Sequence, residues 1–162
     1  MMVLAVGITS EVTQSVSYPG VMPRNNRMAS NLNCLVISGN RELRSRLDSV
    51  SELSGWSGCD MPTDAEELRS TADADFQLVV VDIAHPIGER VNDTLEIAEE
   101  FAARPGTLLM ICGSDESVED ELWARQLGAW VYLPGVSSGD SLVSLFAEAK
   151  RVVEQRDLWQ LV

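Results

Sequence analysis

Basic residues, histidine and cysteine are scarce in this sequence. Of its 162 residues only 12 are lysine or arginine, and Lys150 and His85 are the single lysine and the single histidine. The three cysteines lie far apart and form no CxxC pair: Cys34, Cys59 and Cys112. This composition indicates neither a zinc site nor a disulfide framework. It predicts three thiols that are buried or unreactive.

Long apolar runs are also missing. No stretch approaches the ~20 consecutive apolar residues that a membrane-spanning helix needs. The opening, MMVLAVGITS, has a short apolar run with no basic residue before it, unlike a secretory signal. We therefore expect no membrane association and a cytoplasmic location.

Negative charge is in excess. Residues 1–30 contain one acidic residue and two arginines, so residues 31–162 hold 24 acidic and 10 basic residues, a net charge of −14. Such a surface repels phosphate backbones, whose neutralisation by lysine and arginine supplies most nonspecific affinity for nucleic acids. We expect protein partners and no nucleic acid.

The composition changes near residue 30. The segment SVSYPGVMPRNNRMASN mixes Ser, Pro, Gly and Asn without helical or alternating periodicity, which is typical of a flexible arm. We assign residues 1–30 to this arm and 31–155 to one globular domain, and expect 156–162 to extend the last helix. A further hypothesis is that the natural chain starts at Met28, which N-terminal mass spectrometry would test.

From residue 32 onward, short apolar runs alternate with amphipathic helical segments. The predicted strands are LNCLVIS (32–38), a weak one around SGCDM (57–61), FQLVVVD (76–82), TLLMIC (107–112) and WVYLP (130–134). The first predicted helix begins near Arg41. The next three span 63–72, roughly 91–103 and 117–129, and the fifth begins after residue 138. The expected N-caps are Ser38 or Asn40 for the first helix, Thr63 for the second, and Ser138 or Asp140 for the last.

Uninterrupted apolar runs such as LVVV and TLLMI are typical of strands that are covered on both faces. They predict a parallel sheet with right-handed crossovers and helices on each side, a doubly wound α/β domain of five βα units. In such sheets the ligand-binding loops lie at the carboxyl ends of the strands. Asp82, Ser38 and the residues after Cys112 are expected to converge there.

Two motifs, in this order, resemble the receiver domain of two-component response regulators. FQLVVVDIAHP is similar to the third strand of a receiver, with Asp82 at the phosphoacceptor position and Pro86 four residues later. GAWVYLP resembles the receiver pattern GA..YL.KP and places Tyr132 at the switch-aromatic position. The resemblance covers residues 32 to about 155. It implies a flavodoxin-like, five-stranded sheet with strand order 2-1-3-4-5.

Other receiver positions that support phosphoryl transfer carry different residue types here. The two acidic residues that help hold Mg²⁺ in receivers correspond to Ser38 and Gly39, and the receiver lysine corresponds to Gly135. The Ser/Thr that binds a phosphoryl oxygen corresponds to Cys112 or Gly113. Phosphoryl transfer depends on positioning and on metal or cationic stabilisation of charge. We therefore expect neither bound Mg²⁺ nor efficient phosphorylation at this site.

The remaining site residues have structural interpretations. Asp82 is expected to cap the turn after its strand or to accept hydrogen bonds from loop amides. His85, in the same loop, is expected to be exposed without a fixed partner. Tyr132 is expected to pack on the sheet edge.

These observations predict an atypical receiver-like signalling domain, not an enzyme, that acts through protein contacts without regulated aspartyl phosphorylation or a cofactor. By resemblance, a protein partner or a second copy binds the fourth helix, fifth strand and fifth helix. One alternative is a stand-alone response regulator in a phosphorelay, phosphorylated on Asp82 with Mg²⁺. A second is a small-ligand-binding α/β domain, although SGN (38–40) matches neither a flavin loop nor a P-loop.

Overall fold

The computed structural model describes residues 31–89, 91–135 and 139–160, with only the backbone of Gln160. The predicted arm, the cap candidate Ser138 and the last two residues of the predicted extension lie outside the described residues. The domain boundaries therefore stay predictions.

Five strands alternate with five helices. In chain order these are β1 (Asn33–Ile37), α1 (Arg41–Leu53), β2 (Gly58–Asp60), α2 (Ala65–Ala72), β3 (Leu78–Asp82), α3 (Val91–Ala102), β4 (Leu108–Gly113), α4 (Val118–Leu127), β5 (Val131–Pro134) and α5 (Gly139–Gln160). All strand pairs are parallel and the order is β2-β1-β3-β4-β5. The predicted fold class and strand order are confirmed.

The three central strands are buried because helices cover both faces of the sheet. Helices α1 and α5 pack on one face, against Cys34, Val36 and Val80 among others. Helices α2, α3 and α4 pack on the other face, against Leu35, Val79 and further strand residues. Consecutive strand residues point to opposite faces, so both layers require an apolar side chain at nearly every position.

The helix caps differ in part from those predicted. Asn40 caps α1, with its Oδ1 accepting hydrogen bonds from the backbone N–H of Glu42 and Leu43. The N-cap of α2 is Asp64, not Thr63. Thr63 lies one residue before this cap, and its backbone N–H and hydroxyl both donate to the Glu67 carboxylate.

The buried face of helix α3 agrees only in part with the predicted one. The prediction named Val91, Leu95, Ala98 and Ala102. The buried residues are Thr94, Ala98 and Phe101, whereas Val91 is 48% exposed. Phe101 packs edge-on against Phe76, with ring centroids 6.4 Å apart. Burying a phenyl ring removes more apolar area from water than burying Val or Ala, which explains the rotation of the helix.

Helix α5 begins at Gly139, which places Asp140 inside its first turn and not at the cap. Its buried face consists of Leu142, Phe146, Ala149 and Val153. The helix continues to Gln160, and Leu158 and Trp159 near its end are exposed. Within the described part of the chain, no helix is long and apolar enough to cross a membrane.

Candidate functional site at the carboxyl ends of the strands

Asp82 is the last residue of β3 and only 2% of its surface is exposed. Its register partner on β4 is Cys112, and the neighbouring strand β1 ends one residue before Ser38. Ser38 is fully buried. The structure therefore brings Asp82 and Ser38 together at the carboxyl edge of the sheet, where the sequence placed them.

Both carboxylate oxygens of Asp82 accept hydrogen bonds. Oδ1 accepts from the backbone N–H of Ala84 at 3.1 Å and of His85 at 3.2 Å. Oδ2 accepts from the Ser38 hydroxyl at 2.7 Å and lies 3.1 Å from Nδ1 of the His85 ring. A carboxylate offers about four lone-pair positions. The Ser38 hydroxyl and the two backbone amides fill three of these positions, and the His85 ring fills the fourth when Nδ1 carries a proton.

The β1–α1 loop is bonded directly to the β3–α3 loop around this carboxylate. Ser38 Oγ accepts from the Asn40 backbone N–H at 3.0 Å, and the Gly39 N–H donates to the His85 carbonyl at 2.6 Å. A Cβ atom at Gly39 would lie 2.7 Å from the Pro86 carbonyl oxygen. Only glycine allows the two backbones to approach this closely.

His85 has a fixed partner that the sequence analysis missed. Its side chain is 52% exposed, but Nδ1 forms an ion pair with the buried Asp82 carboxylate when the ring is protonated. Among the ion pairs formed by the described residues, only this one includes Asp82. The sequence did contain a signal for this contact, because His85 follows the strand-ending Asp82 by three residues. Asp82 accepts hydrogen bonds from the backbone N–H of Ala84 and His85, and this turn brings the His85 ring back to the carboxylate.

Tyr132 packs over Gly113, at one of the two candidate Ser/Thr positions. The Tyr132 hydroxyl donates to the Ser114 carbonyl at 2.9 Å. A Cβ atom at Gly113 would come within 2.8 Å of Cε2 of the tyrosine ring. The absence of a side chain at position 113 makes room for this ring.

Cys112, at the other candidate position, is a buried thiol. Burial, together with the negative charge of Asp82, raises the pKa of the Cys112 thiol to about 12. The thiol is therefore neutral at physiological pH. The Cys112 carbonyl accepts from the Ile83 N–H at 2.9 Å and so continues the hydrogen bonding between β3 and β4 past Asp82.

The position of the receiver lysine is occupied by Gly135, which has a φ of +67° in the left-handed region. The single lysine of the chain lies elsewhere. Lys150 Nζ donates to the Gly55 carbonyl at 2.8 Å, in the turn between α1 and β2. This turn precedes a strand, so it lies at the amino edge of the sheet, opposite Asp82. Lys150 therefore supplies no positive charge to the site.

The residues around Asp82 do not fit Mg²⁺. This ion prefers octahedral oxygen coordination with one or two carboxylates. The neighbouring receiver positions hold the hydroxyl of Ser38, which is bonded to Asp82, and Gly39, which has no side chain. In the described residues, no group of three or more His, Cys, Asp or Glu side chains is placed to hold a metal.

Solved structures share this architecture. A CheY-like response regulator receiver domain protein from Methanospirillum hungatei superposes with a TM-score of 0.64 at 20% identity, covering 78% of this chain and 99% of its own. The chain has the receiver fold. A signal receiver domain of a histidine kinase from Clostridium thermocellum gives a TM-score of 0.60 at 16% identity, covering 76% of this chain and 97% of its own.

NtrX from Brucella abortus also contains this fold, with a TM-score of 0.66 at 19% identity. The match covers 80% of this chain but only 29% of the NtrX chain. No protein-family model and no curated protein sequence matches this chain. Because these sequence identities are low, the similarity to receivers is a similarity of fold.

Proposed function

We propose that this receiver-fold domain is a signalling module that works through protein contacts and is not an enzyme. In this proposal Asp82 is not regulated by phosphorylation. The observation that carries it is the hydrogen bonding of Asp82, whose two carboxylate oxygens accept from Ser38, Ala84 and His85.

A phosphoacceptor aspartate attacks through a free carboxylate oxygen. When His85 Nδ1 carries a proton, both carboxylate oxygens of Asp82 are fully bonded, and the attack requires at least one of the existing hydrogen bonds to break. A hydrogen bond to a charged group contributes about 1.5–3 kcal/mol, and about 1.4 kcal/mol in the barrier is a tenfold change in rate. Disengaging Asp82 alone would therefore slow phosphorylation by about tenfold or more.

The negative charge around the site also disfavours phosphorylation of Asp82. The nearest loop after β4 contributes Asp115 and Glu116, and a Cβ atom at Gly135 would lie 3.5 Å from the Asp115 Cβ. The transferred phosphoryl group is itself strongly negative and is normally stabilised by metal and cationic side chains. Here an acidic side chain lies beside the position where receivers carry a lysine.

The experiment is a phosphorylation assay on the intact chain. The protein is incubated with acetyl phosphate and Mg²⁺, and its mass is measured beside an active receiver as a positive control. We expect no adduct. A gain of about 80 Da that disappears in the Asp82→Asn variant would instead support the alternative, a stand-alone receiver phosphorylated on Asp82.

The contact surface proposed for this module is formed by α4, β5 and α5. On α4, Val118 is 66% and Leu122 53% exposed, and a spacing of four residues places both side chains on one side of the helix. Exposed apolar residues grouped in this way are typical of interaction surfaces. We propose that a second copy of the chain binds here.

A further inference from the structure

Two of the three cysteines are neighbours across the edge of the sheet. Cys34 on β1 and Cys59 on β2 are register partners, so their side chains lie on the same face of the sheet. Both pack in the layer covered by α1. Cys34 is fully buried and Cys59 is partly exposed.

The backbone spacing of this pair fits a disulfide. Neighbouring strands lie about 4.8 Å apart, and disulfide-bonded residues have Cα atoms roughly 4.4–6.8 Å apart. Strand β2 has three residues and forms one edge of the sheet, so only β1 holds it in the sheet.

The two thiols differ in acidity because they hydrogen-bond to each other. This bond lowers the pKa of Cys59, and Ser51 on α1 lowers it further. The same bond and burial raise the pKa of Cys34. Cys59 is thus the thiol that ionises first and that oxidants reach, while Cys34 keeps its proton beside it. Thiolate character and access together are what make a cysteine reactive.

We propose that Cys34 and Cys59 form a redox-active dithiol that hydroperoxides oxidise to an intrachain disulfide. The Cys59 thiolate attacks one peroxide oxygen, the O–O bond breaks, and the released hydroxide or alkoxide takes a proton, leaving a sulfenic acid on Cys59. Cys34 then attacks this sulfur, so that the S–S bond forms, the S–O bond breaks and water leaves with the Cys34 proton. A small thiol reductant reverses the oxidation.

Cys34 and Cys112 are buried, as the sequence predicts, whereas Cys59 is only partly buried. The proposal departs from the expectation of unreactive thiols for Cys34 and Cys59, and it does not depend on the proposed function. It assigns different roles to the cysteines. Cys112 takes no part, because burial keeps its thiol neutral. The disulfide would attach the edge strand β2 to β1 covalently.

The test uses the fully reduced wild-type chain treated with a small excess of hydrogen peroxide. After free thiols are alkylated, trypsin separates the two cysteines, because Arg41, Arg44 and Arg46 lie between them. We expect the intact protein to lose about 2 Da, a linked peptide joining Cys34 to Cys59, and complete reversal by dithiothreitol. The oxidised protein should remain monomeric on a non-reducing gel.

Variants identify the roles of the individual cysteines. Cys59→Ser should abolish the mass loss, and Cys112→Ser, the matched control, should retain it. Cys34→Ser should leave a sulfenic acid on Cys59 that dimedone traps. An unchanged wild-type mass, a gain of about 32 Da at Cys59 without a linked peptide, or a link between two chains would overturn the proposal. The wild-type result alone shows whether the Cys34–Cys59 disulfide forms, even if a variant does not fold.

Discussion

The role of a buried aspartate is set by the groups that surround its carboxylate. At Asp82 these are a hydroxyl, two backbone amides and an imidazole, all of which can donate hydrogen bonds. Such donors stabilise the ionised side chain and hold the loops around it. Asp82 is therefore a structural link between two loops.

The Asp82→Asn variant should lower the free energy of unfolding by about 1–3 kcal/mol. An amide has one acceptor oxygen where the carboxylate has two, so some of the buried donors lose their partner. Urea denaturation measures the change, with the exposed Asp75→Asn as a control that should stay within about 0.5 kcal/mol of wild type. A more stable Asp82→Asn variant would mean that the carboxylate is repelled by its surroundings.

Ser38 and His85 both contact Asp82 but differ in exposure. Ser38→Ala should lower the free energy of unfolding by about 1–3 kcal/mol, because it leaves the buried Asp82 carboxylate and the Asn40 N–H without the Ser38 hydroxyl. His85→Ala should lower it by no more than about 1 kcal/mol, since water screens the half-exposed ion pair between His85 and Asp82. Denaturation of both variants under one set of conditions tests this order. A larger loss for His85→Ala would contradict it.

The Cys112 thiol should contribute to alkaline destabilisation. Its pKa is about 12 in the folded chain against an ordinary value of 9.0, so between these pH values the unfolded chain has released a proton that the folded chain keeps. Stability is full below pH 9 and then falls by up to about 1.4 kcal/mol per pH unit. Cys112→Ser should make this decline shallower when unfolding is measured from pH 8 to 11. Parallel curves would contradict the assignment.

At the scale of elements, most helices and strands could be predicted because each follows from local periodicity. One of the two predicted caps of α1 and part of the predicted face of α3 were in error, because a side chain makes a more favourable contact than the predicted one. Ser38 was one of two cap candidates but donates to Asp82, which leaves Asn40 to cap α1. The predicted face of α3 was right at Ala98 but wrong at Val91, because Phe101 requires burial more than Val91 does.

The contacts of the site were harder to predict than its positions. Asp82 and Ser38 were placed at one edge because strand ends of a parallel sheet meet there. The His85 contact and the packing of Tyr132 over Gly113 depend on loop geometry that no periodicity records.

Gly39→Ala should destabilise the chain by about 1–3 kcal/mol, because the added Cβ meets backbone that cannot rotate away. Gly139→Ala is the control. A Cβ there has no neighbour within 4 Å, and alanine favours the helix that begins at this residue. Thermal unfolding should separate the two variants in opposite directions. Equal melting temperatures would show that the two loops adjust freely.

At the scale of the whole molecule, the proposed α4–β5–α5 surface should govern self-association. Leu122→Glu should shift the chain toward monomer in sedimentation velocity, because it adds charge to the apolar surface of an already acidic protein. Leu53→Glu, on α1, changes a residue that is 75% exposed and should leave association unchanged. A wild-type chain that stays monomeric at every concentration would exclude the dimer.

The hydrogen bond from Lys150 to the Gly55 carbonyl also has a practical use. With one lysine in the sequence, an amine-reactive fluorophore labels a single side chain besides any terminal amine. That label would lie where α5 crosses the turn between α1 and β2, far from Asp82. Its emission would report whether the last helix stays docked when a partner binds, without touching the carboxylate pocket.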